Sequence, residues 1–176
     1  HRRGSRSGSN CGGFGCGRGR GGRGTCSHGA AHGLDVAACQ QIVEDAFADQ
    51  SYSDQALPIS CGQTISQPFI VALMTDRLQV NDRHTVLEVG TGTGYQTAVL
   101  SQLCRRVCTI ERYRTLARKA EERFKLLKLN NVTQMVGDGT KGWPQLAPCE
   151  RIIVTAAAKK VPAALLEQLK AGGIMV

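Results

Sequence analysis

Residues 86–95, which read VLEVGTGTGY, decide the fold of this 176-residue chain. An apolar run with a single acid, Glu88, is followed by glycines at alternate positions, Gly90, Gly92 and Gly94. Glycine lets a chain turn sharply out of a strand and brings bare backbone against a ligand. The stretch therefore predicts a buried strand that leads into a ligand-binding turn.

A second strand-like run, residues 108–111, ends in the acid Glu111, seventeen residues beyond Gly94. An acid at this place in a second strand can reach the hydroxyl groups of a ribose. The glycine spacing is G-x-G-x-G, whereas dinucleotide sites use G-x-G-x-x-G, so a pyrophosphate site and an NAD-dependent oxidoreductase are disfavoured. A cofactor with a ribose and no phosphate fits better, and S-adenosylmethionine is such a cofactor. The alternative is a tight strand-to-helix turn without a ligand.

Strand and helix patterns alternate from residue 84 onward. The predicted strands are residues 84–89, 106–110, 132–136, 151–155 and 174–176, and the predicted helices are residues 96–103, 116–128 and 163–170, the last ended by Gly172 and Gly173. This alternation predicts an α/β fold with a doubly wound, mostly parallel sheet and right-handed crossovers. The Rossmann-like fold of S-adenosylmethionine methyltransferases is one fold of this class. Ligands of such sheets bind at the carboxyl ends of the strands.

The segment before residue 84 is predicted to hold two more helices and a loop. Residues 36–48 carry an apolar stripe at helical spacing, and residues 57–62 are predicted to form a loop. Ser66 stands where a helix N-cap is expected, with Pro68 in the first turn.

Residues 1–33 differ in composition from residues 34–176, which predicts a disordered Gly/Arg-rich head before a single folded domain. Without the six arginines of the head, the formal net charge of +8 would fall to about +2. The head is either a flexible solvated arm or an RGG-type segment that binds nucleic acid. Its cysteines and histidines match no standard zinc spacing, so we expect no metal; they are Cys11, Cys16, Cys26, His28 and His32.

No run approaches the roughly 18 apolar residues of a membrane span, and the head lacks the apolar core of a secretory signal. We therefore expect a cytoplasmic protein that does not bind membranes, and we expect a monomer. The last predicted strand ends at Val176 without a following element to cover it. This ending predicts that partner strands of the sheet are missing from the chain.

From about residue 52 onward the chain resembles the protein-L-isoaspartate O-methyltransferases. The resemblance rests on residues 57–59 and 62–68 (LPI and GQTISQP), a block that general methyltransferases lack, and on the glycine motif at residues 86–95. It extends through residues 109–112, 137–139, 151–158 and 169–173.

The resemblance implies an enzyme, a protein carboxyl O-methyltransferase. It would transfer a methyl group from S-adenosyl-L-methionine to the α-carboxylate of L-isoaspartyl residues in damaged proteins and peptides. The ester then collapses to a succinimide, which reopens partly to normal aspartate, so the transfer initiates protein repair. A carboxylate is already ionised at neutral pH, and the reaction therefore needs alignment and exclusion of water more than a strong base.

The resemblance also implies roles for single residues. Ser66 would orient the substrate carboxylate as the catalytic residue, beside the cofactor; alternatively it is a plain helix cap. Thr64 and Ile65 would flank the methionine part of the cofactor, and Gly90, Thr91, Gly92 and Gly94 would shape its pocket. Glu111 would accept hydrogen bonds from both ribose hydroxyls. Asp138 would accept one from the adenine amino group, with Gly139 allowing close approach; alternatively Asp138 is a turn aspartate. Glu88 either accepts a hydrogen bond from a residue that contacts the ligand, or it is a buried acid whose hydrogen bonds are all made within the core.

The family's N-terminal helices have no counterpart in the head, and its last strands are absent, so the resemblance implies a methyltransferase domain incomplete at both ends. Two alternatives follow: an inactive fragment, or another S-adenosylmethionine methyltransferase that acts on RNA or a small molecule. The block at residues 62–68 argues against the second alternative, whereas the Arg/Gly head favours RNA.

Overall fold

The computed structural model describes residues 57–158 and 160–176. The predictions for the head, the candidate zinc ligands and the helix at residues 36–48 lie outside these residues. The described part begins with a hairpin of β1 (Leu57–Ile59) and β2 (Gln63–Ile65), followed by helix α1 (Pro68–Leu78).

Strands and helices then alternate as predicted. They are β3 (Thr85–Val89), α2 (Tyr95–Ser101), β4 (Arg106–Glu111), α3 (Arg114–Leu126), β5 (Val132–Val136), β6 (Cys149–Val154), α4 (Ala163–Gln168) and β7 (Leu169–Met175). Strands β3 to β7 form one sheet in the order β5-β4-β3-β6-β7, and every neighbouring pair is parallel. The predicted doubly wound parallel class is confirmed.

The strand order reverses at β3, because β4 and β5 lie on one side of it and β6 and β7 on the other. In an open parallel sheet, the reversal leaves a crevice beyond the carboxyl ends of the central strands. The glycines that follow β3 therefore lie at the point where this architecture binds ligands.

Each face of the sheet has its own apolar core, since successive side chains of a strand point to opposite faces. Leu87 and Val89 pack on one face with Ile110, Ile152 and Leu165. Val86 packs on the other, in a cluster with Leu78, Leu100, Cys104, Val107 and Ile153. Burial on both faces explains why the central strands read as continuous apolar runs. Among the described helices, none is both long and apolar enough to cross a membrane.

The predicted loop at residues 57–62 is wrong, because the chain forms the β1–β2 hairpin there. A single turn of 3-10 helix, Ser60–Gly62, joins the two strands. Cys61 and Gly62 both have a φ of 65°. Each strand has only three residues. Strands this short carry too little alternation to be recognised in a sequence.

The prediction that Ser66 caps helix α1 is wrong by one residue. Gln67 is the N-cap, its side chain makes no capping hydrogen bond, and Pro68 occupies the start of the helix. Proline has no N–H group and suits the first helical position, so the helix starts without a capping hydroxyl. The Ser66 side chain is thereby left for another partner.

The predicted end of the last helix is also wrong. Helix α4 ends at Gln168, and strand β7 starts at Leu169 and contains both Gly172 and Gly173. A Cβ atom at Gly173 would lie 2.8 Å from the Lys170 carbonyl oxygen, where the pairing of β6 and β7 is irregular. These glycines lie in a bulged part of the strand, where glycines inside strands are common.

Candidate functional site

A cavity of about 350 Å³ opens at the carboxyl ends of β3, β4 and β6. Its walls include the predicted residues Thr64, Gly90, Gly92, Glu111, Asp138 and Gly139. The predicted residues Ser66, Thr91 and Gly94 do not line it. Strand β2, the turn after β3, the end of β4 and the loop after β5 thus meet at one crevice at the predicted edge of the sheet.

The glycine turn (residues 90–94) needs its glycines for conformation and for packing. Gly90, Gly92 and Gly94 have φ values of 103°, 55° and 89°, which residues with a Cβ rarely adopt. A Cβ atom at Gly90 would lie 2.9 Å from the Cβ of Ala156, and one at Gly94 would lie 2.5 Å from the ring of Phe124. Gly94 therefore allows α3 to pack closely, while Gly90 and Gly92 face the cavity.

The Glu111 carboxylate is held at the base of the cavity by two backbone N–H groups. The Gly92 N–H donates to Oε2 at 2.8 Å, and the Tyr113 N–H donates to Oε1 at 2.9 Å. The residue is only 5% exposed. Each carboxylate oxygen can accept a further hydrogen bond, so the group presents fixed acceptors and a negative charge to the cavity.

Thr91 supports the glycine turn from below. Its hydroxyl pairs with the Thr109 hydroxyl at 2.6 Å, and both side chains are buried. The Gly90 N–H also donates to the Ile110 carbonyl oxygen at 2.9 Å. The turn after β3 is therefore tied to β4, the strand that carries Glu111.

The loop after β5 brings Asp138 and Gly139 to the cavity. Asp138 Oδ1 accepts from the Thr140 backbone N–H at 3.0 Å and from its hydroxyl at 2.7 Å, and these bonds lower the pKa of Asp138. Asp138 is thus a turn aspartate in this structure, with its second oxygen still able to accept. A Cβ at Gly139 would collide with the Val89 side chain, so this glycine lets the loop approach β3.

Thr64 lines the cavity from the β2 side, and Ile65 follows it as the last residue of β2. Ser66 is half-buried immediately before α1, and its hydroxyl has no hydrogen-bond partner among the described residues. Of these three residues, Thr64 lines the cavity, and Ile65 and Ser66 follow it in the chain.

Glu88 lies beneath the cavity and does not line it. Its side chain is fully buried, and Oε2 accepts a hydrogen bond from the Thr97 hydroxyl of α2. Oε1 has no hydrogen-bond partner in the described part of the chain. Burial raises the pKa of Glu88 to about 7, against the smaller opposing effect of hydrogen bonds from Thr97 and Thr109.

Thr155 is a site residue that the sequence did not single out. Its hydroxyl lies 2.6 Å from the Gly90 carbonyl oxygen and 3.0 Å from that of Val89, and donates to them. Thr155 also lines the cavity. It joins the end of β6 to the start of the glycine turn across the point where the strand order reverses.

We expect Thr155→Val to weaken binding of an adenosyl ligand about three- to tenfold, because a neutral hydrogen bond contributes about 1 kcal/mol and the shape is conserved. Isothermal titration calorimetry with S-adenosyl-L-homocysteine measures the effect. Thr115→Val, on the exposed start of α3, is the matched control. Unchanged affinity in Thr155→Val would show that the turn does not depend on this hydroxyl.

A larger open groove of about 920 Å³ lies between α3 and strand β5, and it contains none of the predicted site residues. It is bordered by exposed charged side chains such as Arg118 and Lys125, which pair with Glu122 and Glu121 on their own helix. Such pairs are typical of a solvated helix face. The smaller cavity is therefore the candidate site.

Sequence comparisons identify the family of the chain. The family model for protein-L-isoaspartate(D-aspartate) O-methyltransferase matches residues 26–176. The chain belongs to this family. A protein-L-isoaspartate O-methyltransferase of Parvibaculum lavamentivorans is 61% identical over 137 residues, which cover 78% of the chain and 62% of that relative. One of Maricaulis maris is 60% identical over 135 residues, which cover 77% of the chain and 63% of that relative. The chain thus spans a little over three fifths of the length of these relatives.

Solved structures of the isoaspartate O-methyltransferase family share the fold. One protein-L-isoaspartate O-methyltransferase superposes with a TM-score of 0.74 at 28% identity, covering 85% of the chain and 49% of that structure. A Plasmodium falciparum structure described as a β-aspartate methyltransferase superposes with a TM-score of 0.66 at 25% identity, covering 77% and 68%. That protein is in complex with S-adenosyl-L-homocysteine.

Proposed function

We propose that this chain binds S-adenosyl-L-methionine and transfers its methyl group to the α-carboxylate of L-isoaspartyl residues in damaged proteins. The ester would collapse to a succinimide and so initiate repair. One observation carries the proposal: the buried Glu111 carboxylate, oriented by two backbone N–H groups, faces a glycine turn in a cavity that Asp138 also lines. Membership of the isoaspartate O-methyltransferase family supports the choice of substrate.

The residues of the cavity fit the cofactor. The second lone pairs of the Glu111 oxygens would accept from the ribose hydroxyls, and Asp138 would accept from the adenine amino group. Gly90 and Gly92 would leave room for the ribose and the chain that extends from it, toward Thr64 and Ile65 at the methionine end. When bound, S-adenosylmethionine supplies a methyl group activated by a sulfonium.

The chain would align the reacting groups and exclude water from them. The α-carboxylate of isoaspartate is ionised at neutral pH and is itself the nucleophile, so no protein base is required. Ser66 would donate a hydrogen bond to this carboxylate, a role that its hydroxyl can fill because it has no hydrogen-bond partner within residues 57–158 and 160–176. Effective alignment of the reacting groups supplies most of the rate enhancement in such transfers.

The proposal is tested by incubating the 176-residue chain with labelled S-adenosylmethionine and an isoaspartyl peptide. The matching aspartyl peptide and bulk RNA are the comparison substrates. Base-labile label on the isoaspartyl peptide alone would support the proposal. Label on RNA would favour the RNA methyltransferase alternative. Binding of S-adenosyl-L-homocysteine without transfer to any of the three would leave a cofactor-binding chain without the proposed activity.

We expect Ser66→Ala to lower kcat/KM for the isoaspartyl peptide about 10- to 150-fold, because a hydrogen bond to a charged group contributes about 1.5–3 kcal/mol. Affinity for S-adenosyl-L-homocysteine should change less than twofold, on the order of a few tenths of a kcal/mol. Steady-state kinetics and calorimetry measure the two quantities. Thr115→Val, which removes an exposed hydroxyl outside the cavity, is the control and should change neither quantity. Equal losses of peptide and cofactor affinity would contradict a substrate-side role.

A further inference from the structure

Gln168, the last residue of α4, holds the loop after β5 through both atoms of its amide. Its Oε1 accepts from the Trp143 N–H at 2.7 Å, and its Nε2 donates to the Lys141 carbonyl oxygen at 2.8 Å. The side chain is almost fully buried, with 8% exposed. Because the two bonded groups flank Gly142, the amide closes a ring across this residue.

Gly142 leaves room for the Gln168 amide. Its φ of 62° and ψ of −149° belong to a region that is essentially open only to glycine. A Cβ atom at this position would collide with the amide group of Gln168. The close approach and the two hydrogen bonds depend on each other, so a substitution on either side should release the loop.

The same loop carries the predicted adenine contact. The Lys141 N–H donates to the Asp138 carbonyl oxygen at 3.1 Å, and the Gly142 N–H donates to the Gly139 carbonyl oxygen at 3.0 Å. Asp138 and Gly139 line the cavity, whereas Lys141, Gly142 and Gln168 do not. A single hydrogen-bonded turn therefore connects the Gln168 amide to the wall of the site.

We propose that Gln168 is a positioning residue for Asp138 and thereby sets the selectivity of the site for an adenine base over a base without the amino group. The inference rests on the proposed binding of S-adenosylmethionine. It assigns a role in ligand recognition to a buried residue that touches no ligand. An amide is required because the loop offers one donor and one acceptor; a carboxylate supplies only acceptors, and a thioether supplies no N–H donor.

The first test uses Gln168→Met, which keeps the length of the side chain and removes the paired hydrogen bonds. Without ligand, the Trp143 amide should exchange with deuterated solvent at least about tenfold faster, because its acceptor is lost. With ligand, the Kd for S-adenosyl-L-homocysteine should rise about tenfold. Gln145→Met is the matched control, since Gln145 is exposed on the same loop. It should change neither quantity.

The second test separates positioning from general loss of structure. The wild-type chain should bind S-adenosyl-L-homocysteine more tightly than S-inosyl-L-homocysteine, in which an oxo group replaces the adenine amino group. In Gln168→Met the ratio of the two Kd values should fall toward one. A loss of affinity by the same factor for both ligands would overturn the inference, as would an unchanged exchange rate at Trp143.

Gln168→Glu supplies a conservative rescue. Its ionised carboxylate accepts from the Trp143 N–H but cannot donate to the Lys141 carbonyl oxygen, whereas its protonated form can do both. A carboxyl at this buried position should have a pKa above the usual value of about 4.3, because burial disfavours its charged form. Affinity of this variant relative to the wild type should therefore recover as the pH is lowered from about 8 to about 5. A pH-independent ratio would contradict the proposed donor role. Failure of the wild-type chain to bind S-adenosyl-L-homocysteine would instead overturn the proposed function itself.

Discussion

Replacing Glu111 by glutamine is expected to weaken binding of S-adenosyl-L-homocysteine by about 100- to 1,000-fold, which corresponds to about 3–4 kcal/mol. Two effects combine. The bonds that the carboxylate would accept from a ribose lose their charge. In addition, one of the two oxygens becomes an NH₂ group, which cannot accept from Gly92 or Tyr113, the two N–H donors that hold the side chain.

Calorimetry on the wild-type chain and Glu111→Gln measures the loss, and the 2′-deoxy and 3′-deoxy forms of the ligand identify its origin. In the wild type each deoxy ligand should bind about tenfold or more weakly; in the variant this penalty should largely vanish, because the hydroxyls have lost their charged acceptor. Glu121→Gln removes the same charge from the exposed face of α3, where Glu121 pairs with Lys125 at 2.7 Å. The control should bind like the wild type.

A result within threefold of wild-type affinity, on the order of 0.6 kcal/mol, would remove Glu111 from the ligand site. Equal penalties for the deoxy ligands in both proteins would also contradict the ribose contact, and would leave Glu111 as an organiser of the glycine turn alone. Glu111→Asp helps to tell these roles apart. It retains the charge but is shorter by one methylene, so it should bind with intermediate affinity if the charge matters.

The central strands could be predicted because their signals are local and strong. A strand buried on both faces reads as an apolar run, and the predicted strand at residues 106–110 differs by one residue from β4, which is Arg106–Glu111 in the structure. Strand β7 could not be delimited, because no turn residue separates it from α4. The helix ends at Gln168, whose side chain bonds to a distant loop, and the strand begins at the next residue.

The residues of the candidate site also fall into a group that the sequence predicts and a group that it does not. The glycine turn directly follows β3 and Glu111 is the last residue of β4, so their convergence follows from the parallel sheet alone. Thr155 and Gln168 act on groups that lie 65 and 25 residues away in the sequence. Nothing in the sequence next to either residue indicates these hydrogen bonds. The residues predicted to contact a ligand thus stand in sequence motifs, whereas the residues that hold those motifs in place can be recognised only in the folded structure.

The second large effect is expected at Glu88, whose pKa burial raises from 4.5 to about 7. The Glu111 carboxylate, a nearby negative charge, raises it further in the same direction. The folded state therefore holds a proton that the unfolded chain releases between these two pH values. Stability must fall as the pH rises from 4.5 to about 7, and the full loss of about 3 kcal/mol persists above this range.

Glu88→Gln removes this titration while it keeps an acceptor for the Thr97 hydroxyl. The free energy of unfolding of the variant, relative to the wild type, should increase by about 3 kcal/mol between about pH 4.5 and pH 8. Urea unfolding at several pH values measures this difference. Glu122→Gln, an exposed acid paired with Arg118 at 3.9 Å, controls for the change in net charge.

Parallel pH profiles for the wild type and Glu88→Gln would show that Glu88 is ionised in the folded state over this whole range. A second acceptor or donor would then have to serve the buried Oε1, which has no hydrogen-bond partner among the described residues. Diverging profiles would instead show that the chain retains, directly beneath its glycine turn, an acid that destabilises the fold at neutral pH. A glutamine at this position would be more stable, so selection for stability alone does not account for a glutamate there.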